Sequence, residues 1–378
     1  MNILYLCAGA IINRGVERYI MNLVSGMSKD FHIDVVTPLK CQNTQFQELI
    51  EKRGGKIFEL GLCHIRRNLY VKYKKQLEDT ICWNKYDMAE VHTGDIPLLG
   101  LSAWICRKNG IRRVILHTHN THKRNLQYNI DRMIFLPFMK QATDFWTCSV
   151  KAGNDSFPER VQYKVKWIPN AIDIEKFKFD LTSRSKIRKK LCIGRKIVIG
   201  HIGAFERQKN HKFLIEVFAK ICEKSDNYVL FLAGEGALLN EIKKKVKMFK
   251  LEEKVIFYGI SDNVHEVLNA VDIFVMPSLW EGFGIAAIEA QANGLPCVLS
   301  DALPKEAFVT DSCEVLPVRK NHAERWKNAI MASDIQTNRE KGYVDICSSP
   351  YQLEKMREKV VQSYMAMFSS EQKKAGKI

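Results

Sequence analysis

The chain of 378 residues has eleven cysteines but no C-x-x-C pair anywhere. An odd, scattered set argues against a disulfide framework and against a structural zinc site. Reduced thiols in a cytosolic compartment are the simpler reading. No apolar run is long enough to span a bilayer. The opening MNILYLCAGA lacks a basic leader region and reaches glycine too early for a signal peptide, so it reads as a first strand. No short repeat period is visible. Neither half has a full G-x-G-x-x-G followed by an acidic partner, which weighs against a nicotinamide-dependent dehydrogenase. No nucleic-acid-binding module is recognisable, so nucleic acid is suggested by the net charge of +16 alone. That charge favours anionic partners in general, phosphorylated substrates and acidic membrane surfaces included. The 46% hydrophobic and 26% charged content is that of a soluble globular protein, with enough chain for two cores.

Strand and helix patterns alternate twice. NILYL, FHIDVVT, KIFEL, DMAEVH, RRVILH, DFWTCS and KVKWI read as strands of a first series. A helix with apolar positions Val16, Tyr19, Ile20, Leu23, Val24 and Met27 follows the first of them. KIVIGHIG, YVLFLAG, KVIFYG, DIFVMPS and PCVLSD form a second series. Between the two, LTSRSKIRKKLCIGRK is polar, basic and irregular, which places the connection between Phe177 and Gly194. The last stretch, SPYQLEKMREKVVQSYMAMF, reads as one amphipathic helix with a frayed tail. The expected class is α/β, with two doubly wound domains over residues 1–180 and 181–349 and a terminal helix over 350–378. Ligands of such folds sit beyond the carboxyl ends of the strands, and a cleft between two domains is the default site.

The stretch SLWEGFGIAAIEAQANGLPCVLSD carries two carboxylates, Glu281 and Glu289, around a glycine turn that opens a helix. Unpaired N–H groups and positive partial charge at a helix start suit phosphate, and Gly282 and Gly284 let a ligand approach the backbone. Glu289, about five residues in, lies ~7 Å along the axis, where a ribose hydroxyl would be. The same spacing also fits a Glu281 that only complements the helix dipole and a Glu289 on the surface; spacing alone does not choose. A second strand-to-helix loop, GHIGAFERQKNHKF, offers Arg207 and Lys209 to a pyrophosphate leaving group, with Asn210 as a candidate helix cap. FLAGEGALL is either a shortened nucleotide fingerprint or a tight turn. VILHTHN ends a strand with His117 and His119, which could orient a substrate hydroxyl or be satisfied structural histidines; as metal ligands they lack a third partner at any recognisable spacing. INRGVERYI supplies a glycine turn after the first strand.

On these motifs, in this order, the chain resembles the family-4 retaining glycosyltransferases of the GT-B fold over most of its length. EGFGIAAIE matches the family's paired-glutamate element, GAFERQKN its basic loop and IPNAIDIEKF its signature before the linker, with HTHN and RGVE in the N-terminal positions. The likeness is to bacterial transferases that build capsular and exopolysaccharide repeat units. It implies an N-terminal acceptor domain, a C-terminal nucleotide-sugar domain and a final helix packing back on the first. It implies Lys209 and Arg207 on the diphosphate, Glu281 and the backbone of Gly282, Phe283 and Gly284 on the donor sugar, Glu289 on the ribose, His119 at the active centre, and Gly15 near the phosphates. The reaction it implies moves sugar from a nucleoside-diphosphate sugar, a UDP-sugar first among candidates, to a glycan or lipid-linked acceptor, with anomeric retention and without a metal or other cofactor.

Three positions depart from the family pattern, one of them, Ala171 where IPNAID usually has glycine, by a small change. Arg14 stands where the first turn usually has glycine, and Ala204 where the basic loop usually has arginine. They motivate the alternative of a non-catalytic nucleotide-sugar- or glycan-binding paralogue partnering an active transferase. HIRRNLYVKYKK and THKRNLQYNIDRMIFLPFMK mix cations with aromatics, which suits a cytoplasmic protein peripherally bound to an anionic membrane face.

Overall fold

The structure, a computed structural model, describes residues 1–12, 15–62, 69–121, 126–261, 263–335 and 338–375. It divides into two compact units, Met1–Ala171 with Leu353–Ile378, and Ile172–Gln352. The first division precedes the boundary expected at residue 180. The chain between is no irregular linker. Leu181–Lys190 is a helix whose cap, Asp180, accepts from the backbone of Thr182 and Ser183. Arg184 and Arg188, one helical turn apart, both bind Asp272, at 2.5 and 3.0 Å, and so hold that helix within the second unit.

In the first unit seven parallel strands, β1 (Asn2–Cys7), β2 (His32–Thr37), β3 (Ile57–Glu59), β4 (Met88–His92), β5 (Arg113–Thr118), β6 (Asp144–Thr147) and β7 (Val165–Trp167), lie in the order β3-β2-β1-β4-β5-β6-β7. Strands buried on both faces explain the near-continuous apolar runs. One face packs on the helix Gly15–Val24 and on the last helix, Leu353–Ala375. Met356, Val360, Tyr364 and Met367 of the last helix recur every three or four residues and are buried in that layer. Arg357 Nε donates to Asn22 O at 2.8 Å, and a side chain at Gly26 would strike the Arg357 guanidinium.

The second unit has six parallel strands, β8 (Ile197–Ile202), β9 (Tyr228–Ala233), β10 (Val255–Gly259), β11 (Ile273–Met276), β12 (Cys297–Ser300) and β13 (Cys313–Leu316), in the order β10-β9-β8-β11-β12-β13. Both sheets therefore reverse their winding between the first and fourth strand, the point where ligands bind in doubly wound folds. The ends of the second unit meet: Ile172 N donates to Tyr351 O at 3.0 Å.

Candidate active site

The winding of the second sheet reverses at β8 and β11, and the loops leaving those two strands carry the predicted donor residues. After β8 the chain passes Gly203–Phe205 and a 3-10 turn, Arg207–Lys209, into the helix His211–Cys222. The Lys209 stem crosses Gly203, where a Cβ would lie 3.1 Å from Lys209 Cγ, Cδ and Cε. Lys209 Nζ donates to Glu281 Oε1 at 2.7 Å, and Gln208 Nε2 to Glu281 Oε2 at 3.1 Å. Leu279 N donates to Gln208 O at 2.8 Å, and Asn210 Nδ2 to Pro277 O at 3.2 Å. The two loops are thus one bonded unit. Asn210 stands at the helix start but in a left-handed conformation (φ 56°), and its side chain bonds the other loop rather than capping its own helix. Arg207 is exposed on the same turn, next to the more enclosed Lys209.

Beyond Glu281, Gly284 adopts φ 89° and the helix Ile285–Ala292 begins. A Cβ at Gly284 would be strained by that backbone and would meet Leu303 at 3.0 Å. The Phe283 ring is buried against Tyr351, centroids 5.1 Å apart. Glu289 is the fifth residue of the helix and 2% exposed, so the surface reading of this residue is excluded. Gly294 (φ 73°) ends the helix, with bonds from Gly294 N to Gln291 O and Leu295 N to Ala290 O. The glycines of FLAGEG shape the same site. A Cβ at Gly234 would fall 2.2 Å from Gly203 O, and one at Gly236 2.7 Å from Phe205 O. Behind Lys209, His201 Nδ1 donates to Val275 O at 2.7 Å and His211 stacks on Phe205. Burial pushes His201 down to about 4 and His211 to about 2, with the Lys209 charge adding to both, so each is neutral near pH 7.

In the first unit, Glu90 and His92 of β4 lie beside Ile115 and His117 of β5 in register, and His119 follows the end of β5. His117 Nδ1 donates to Glu90 Oε1 at 2.8 Å; His92 Nδ1 and His119 Nε2 are 3.2 Å apart. The Tyr364 hydroxyl of the last helix donates to Glu90 Oε2, and Tyr5 OH is 2.9 Å from Tyr364 OH. Burial pushes His117 down to about 3. Burial, reinforced by His117 and opposed by the Asn170 side chain, holds His119 well below the usual histidine range, so its imidazole is neutral near pH 7. Burial raises Glu90, against the pull of His92 and the Tyr364 bond. The expectation that these histidines have no third partner is overturned. His92, His117 and His119 offer ligand atoms within 4.8 Å of one another, the group among the described residues able to hold a metal ion. Sequence reasoning missed His92, Glu90 and Gln208. The first two repeat the i, i+2 spacing of HTH at an adjacent strand end, and only the strand register joins them. Gly15 opens the helix Gly15–Val24 with open space where its Cβ would be. Arg14 lies outside the described residues.

Residues 13–176 match the family described as Glycosyltransferase Family 4, and residues 183–332 that described as Glycosyl transferases group 1. Over 314 residues the chain is 30% identical to EpsF of Bacillus subtilis (strain 168), which is named as a glycosyltransferase; the match covers 80% of each chain. It is 25% identical over 257 residues to UDP-Gal:alpha-D-GlcNAc-diphosphoundecaprenol alpha-1,3-galactosyltransferase of Escherichia coli, covering 65% of this chain and 66% of that one. In fold it matches Anabaena HepE in complex with UDP-glucose (TM-score 0.79, 17% identity, 97% of this chain and 100% of that one). It also matches WaaG, a glycosyltransferase involved in lipopolysaccharide biosynthesis (TM-score 0.73, 16% identity, 94% and 98%). With two Rossmann-like sheets of one winding and this extent of shared sequence, the chain belongs to the group 1, family 4 glycosyltransferases of the GT-B fold.

Proposed function

We propose that this glycosyltransferase moves a hexose from a UDP-sugar to a lipid-linked glycan in the assembly of a surface polysaccharide, with retention of anomeric configuration. The observation that carries the reading is the Lys209–Glu281 pair, fixed by four bonds between the loops of β8 and β11. A diphosphate would lie against Lys209 and Arg207 and the start of the helix Ile285–Ala292. The sugar would meet Glu281 and the Gly282–Gly284 backbone, and the ribose Glu289. The Lys209 ammonium, released from part of its bond to Glu281, would stabilise charge growing on the phosphate. In the step proposed, the bond from the anomeric carbon to the diphosphate oxygen breaks and a bond to the acceptor oxygen forms on the same face. The acceptor proton passes to the leaving phosphate oxygen. No metal takes part. Neutral His119, in the acceptor unit, would orient the acceptor hydroxyl. The relative named for UDP-galactose and a diphosphoundecaprenol acceptor, and the HepE complex with UDP-glucose, support the donor and acceptor classes. Exposed Leu126, Met133 and Ile134, beside an excess of cations, support peripheral contact with the cytoplasmic membrane face, and nucleic acid is no partner in this reading.

The test supplies labelled UDP-, GDP- and ADP-sugars to the protein with acceptor lipid in anionic vesicles. Transfer from a UDP-sugar is expected, and Lys209→Ala and Glu281→Ala should each lower turnover about 100-fold or more with unchanged circular dichroism. Near-normal turnover in either variant removes the assigned roles. Donor binding with neither transfer nor hydrolysis would instead make the chain the non-catalytic binder. Salt-reversible retention on the same vesicles reads out the membrane contact.

A further inference from the structure

We propose that His92, His117 and His119 form a binding site for one divalent transition-metal ion of the zinc type, separate from the donor site and held from behind by Glu90. Three imidazoles from adjacent strand ends converge there, buried to 4% exposure or less. Their ring nitrogens divide into two sets. His117 Nδ1 is engaged by Glu90 Oε1 at 2.8 Å, while His117 Nε2 is buried with no hydrogen-bond partner. His92 turns Nε2 toward the same Glu90 oxygen, at 3.6 Å, and its Nδ1 toward His119 Nε2. The inward set is therefore His92 Nδ1, His117 Nε2 and His119 Nε2. A metal-bound histidine ordinarily gives its other ring N–H to a carboxylate or carbonyl group, and here one buried carboxylate faces two of the three.

The spacing agrees for two pairs. Nitrogens bound to zinc at ~2.0–2.1 Å in a tetrahedron lie about 3.3 Å apart. His92 Nδ1 and His119 Nε2 are 3.2 Å apart. Rings so bound have centres roughly 5 Å apart, and His92 stands 5.4 Å from His117 and 5.5 Å from His119. The His117 and His119 rings, 4.2 Å apart, have to spread for an ion to seat. Without an ion, one proton shared between His92 Nδ1 and His119 Nε2 joins that pair, and His117 Nε2, like His92 Nε2 and His119 Nδ1, is left buried without a hydrogen-bond partner, which proteins ordinarily avoid. Imidazole donors suit zinc, copper, nickel and cobalt rather than magnesium or calcium. An ion here would occupy His119 Nε2 and withdraw His119 from the acceptor, so the loaded site is an off state of the transferase. That consequence rests on the role proposed above for His119; the binding itself does not.

Titration of the full chain with Co²⁺ alone should give visible bands of nitrogen coordination that saturate at one ion per chain and vanish when Zn²⁺ is added. His92→Asn should abolish saturable binding, and Glu90→Gln should weaken it about 10- to 100-fold. No saturable binding, or unchanged binding in His92→Asn, overturns the site. Should the variants fail to fold, X-ray absorption of the zinc-loaded native chain decides: three imidazoles per zinc support the site, and fewer overturn it. In the transfer assay Zn²⁺ should inhibit and a chelator should restore activity. Binding without inhibition keeps the site and removes His119 from the acceptor.

Discussion

His201 and His211 stand directly behind the Lys209–Glu281 pair and carry no charge of their own at neutral pH. Their folded values, about 4 and about 2, lie below the 6.5 of a free histidine, so the unfolded chain binds protons first as pH falls. Their contribution to stability is complete above about pH 6.5 and is lost as pH falls, toward pH 4 for His201 and toward pH 2 for His211, at about 1.4 kcal/mol per pH unit for each. Urea unfolding followed at pH 7.5 and 5 should therefore show a lower midpoint in acid; an unchanged midpoint would mean that these two imidazoles are already protonated in the fold. At this scale the sequence was most legible where loop chemistry was local. Lys209 and Glu281 could be singled out because each sits in a strand-to-helix turn beside glycines, and Glu289 because it lies in the second turn of the helix that one of those loops opens. Gln208 could not, since a glutamine in a basic loop has no distinguishing type. The role of Glu90 depends on Tyr364, 274 positions away.

Turns and helices were read with uneven success, and the reasons are physical. The strand ends and the start and stop of the helix Ile285–Ala292 follow from apolar runs and from Gly284 and Gly294. The helix Leu181–Lys190 was mistaken for a linker because its sequence is almost wholly polar. Its stability comes from the Asp180 cap and from two arginines on Asp272, a partner 88 residues from Arg184 that no local pattern reveals. FLAGEG reads locally as a tight turn, yet its glycines exist to admit the backbone of the Gly203–Phe205 loop. Gly234 (φ 141°) tests that account. Gly234→Ala should destabilise by about 1–3 kcal/mol and raise the donor KM, because the added carbon pushes on Gly203 O beneath Lys209. A thermal melt together with donor kinetics checks it, and a stable variant with unchanged donor KM would show that the two turns move independently.

Across the whole molecule the double α/β series, and hence two sheets of one winding, was plain from the alternation of strand and helix. Where the chain passes from one unit to the other was less plain, because no break in composition marks Ile172 or Gln352 and their pairing is a tertiary event. The first unit is built from two pieces of chain, and Met356, Val360 and Tyr364 complete its core from the far end. A chain ending at Gln352 should therefore lose the cooperative unfolding of that unit, while the piece 172–352, whose ends already meet, should melt as an independent domain. Matching melts for the cut and full-length chains would refute this. During synthesis the consequence is one of timing: the unit 172–352 can finish as soon as it leaves the ribosome, whereas the first unit must wait, with Glu90 and its histidines uncovered, until the helix Leu353–Ala375 has been made.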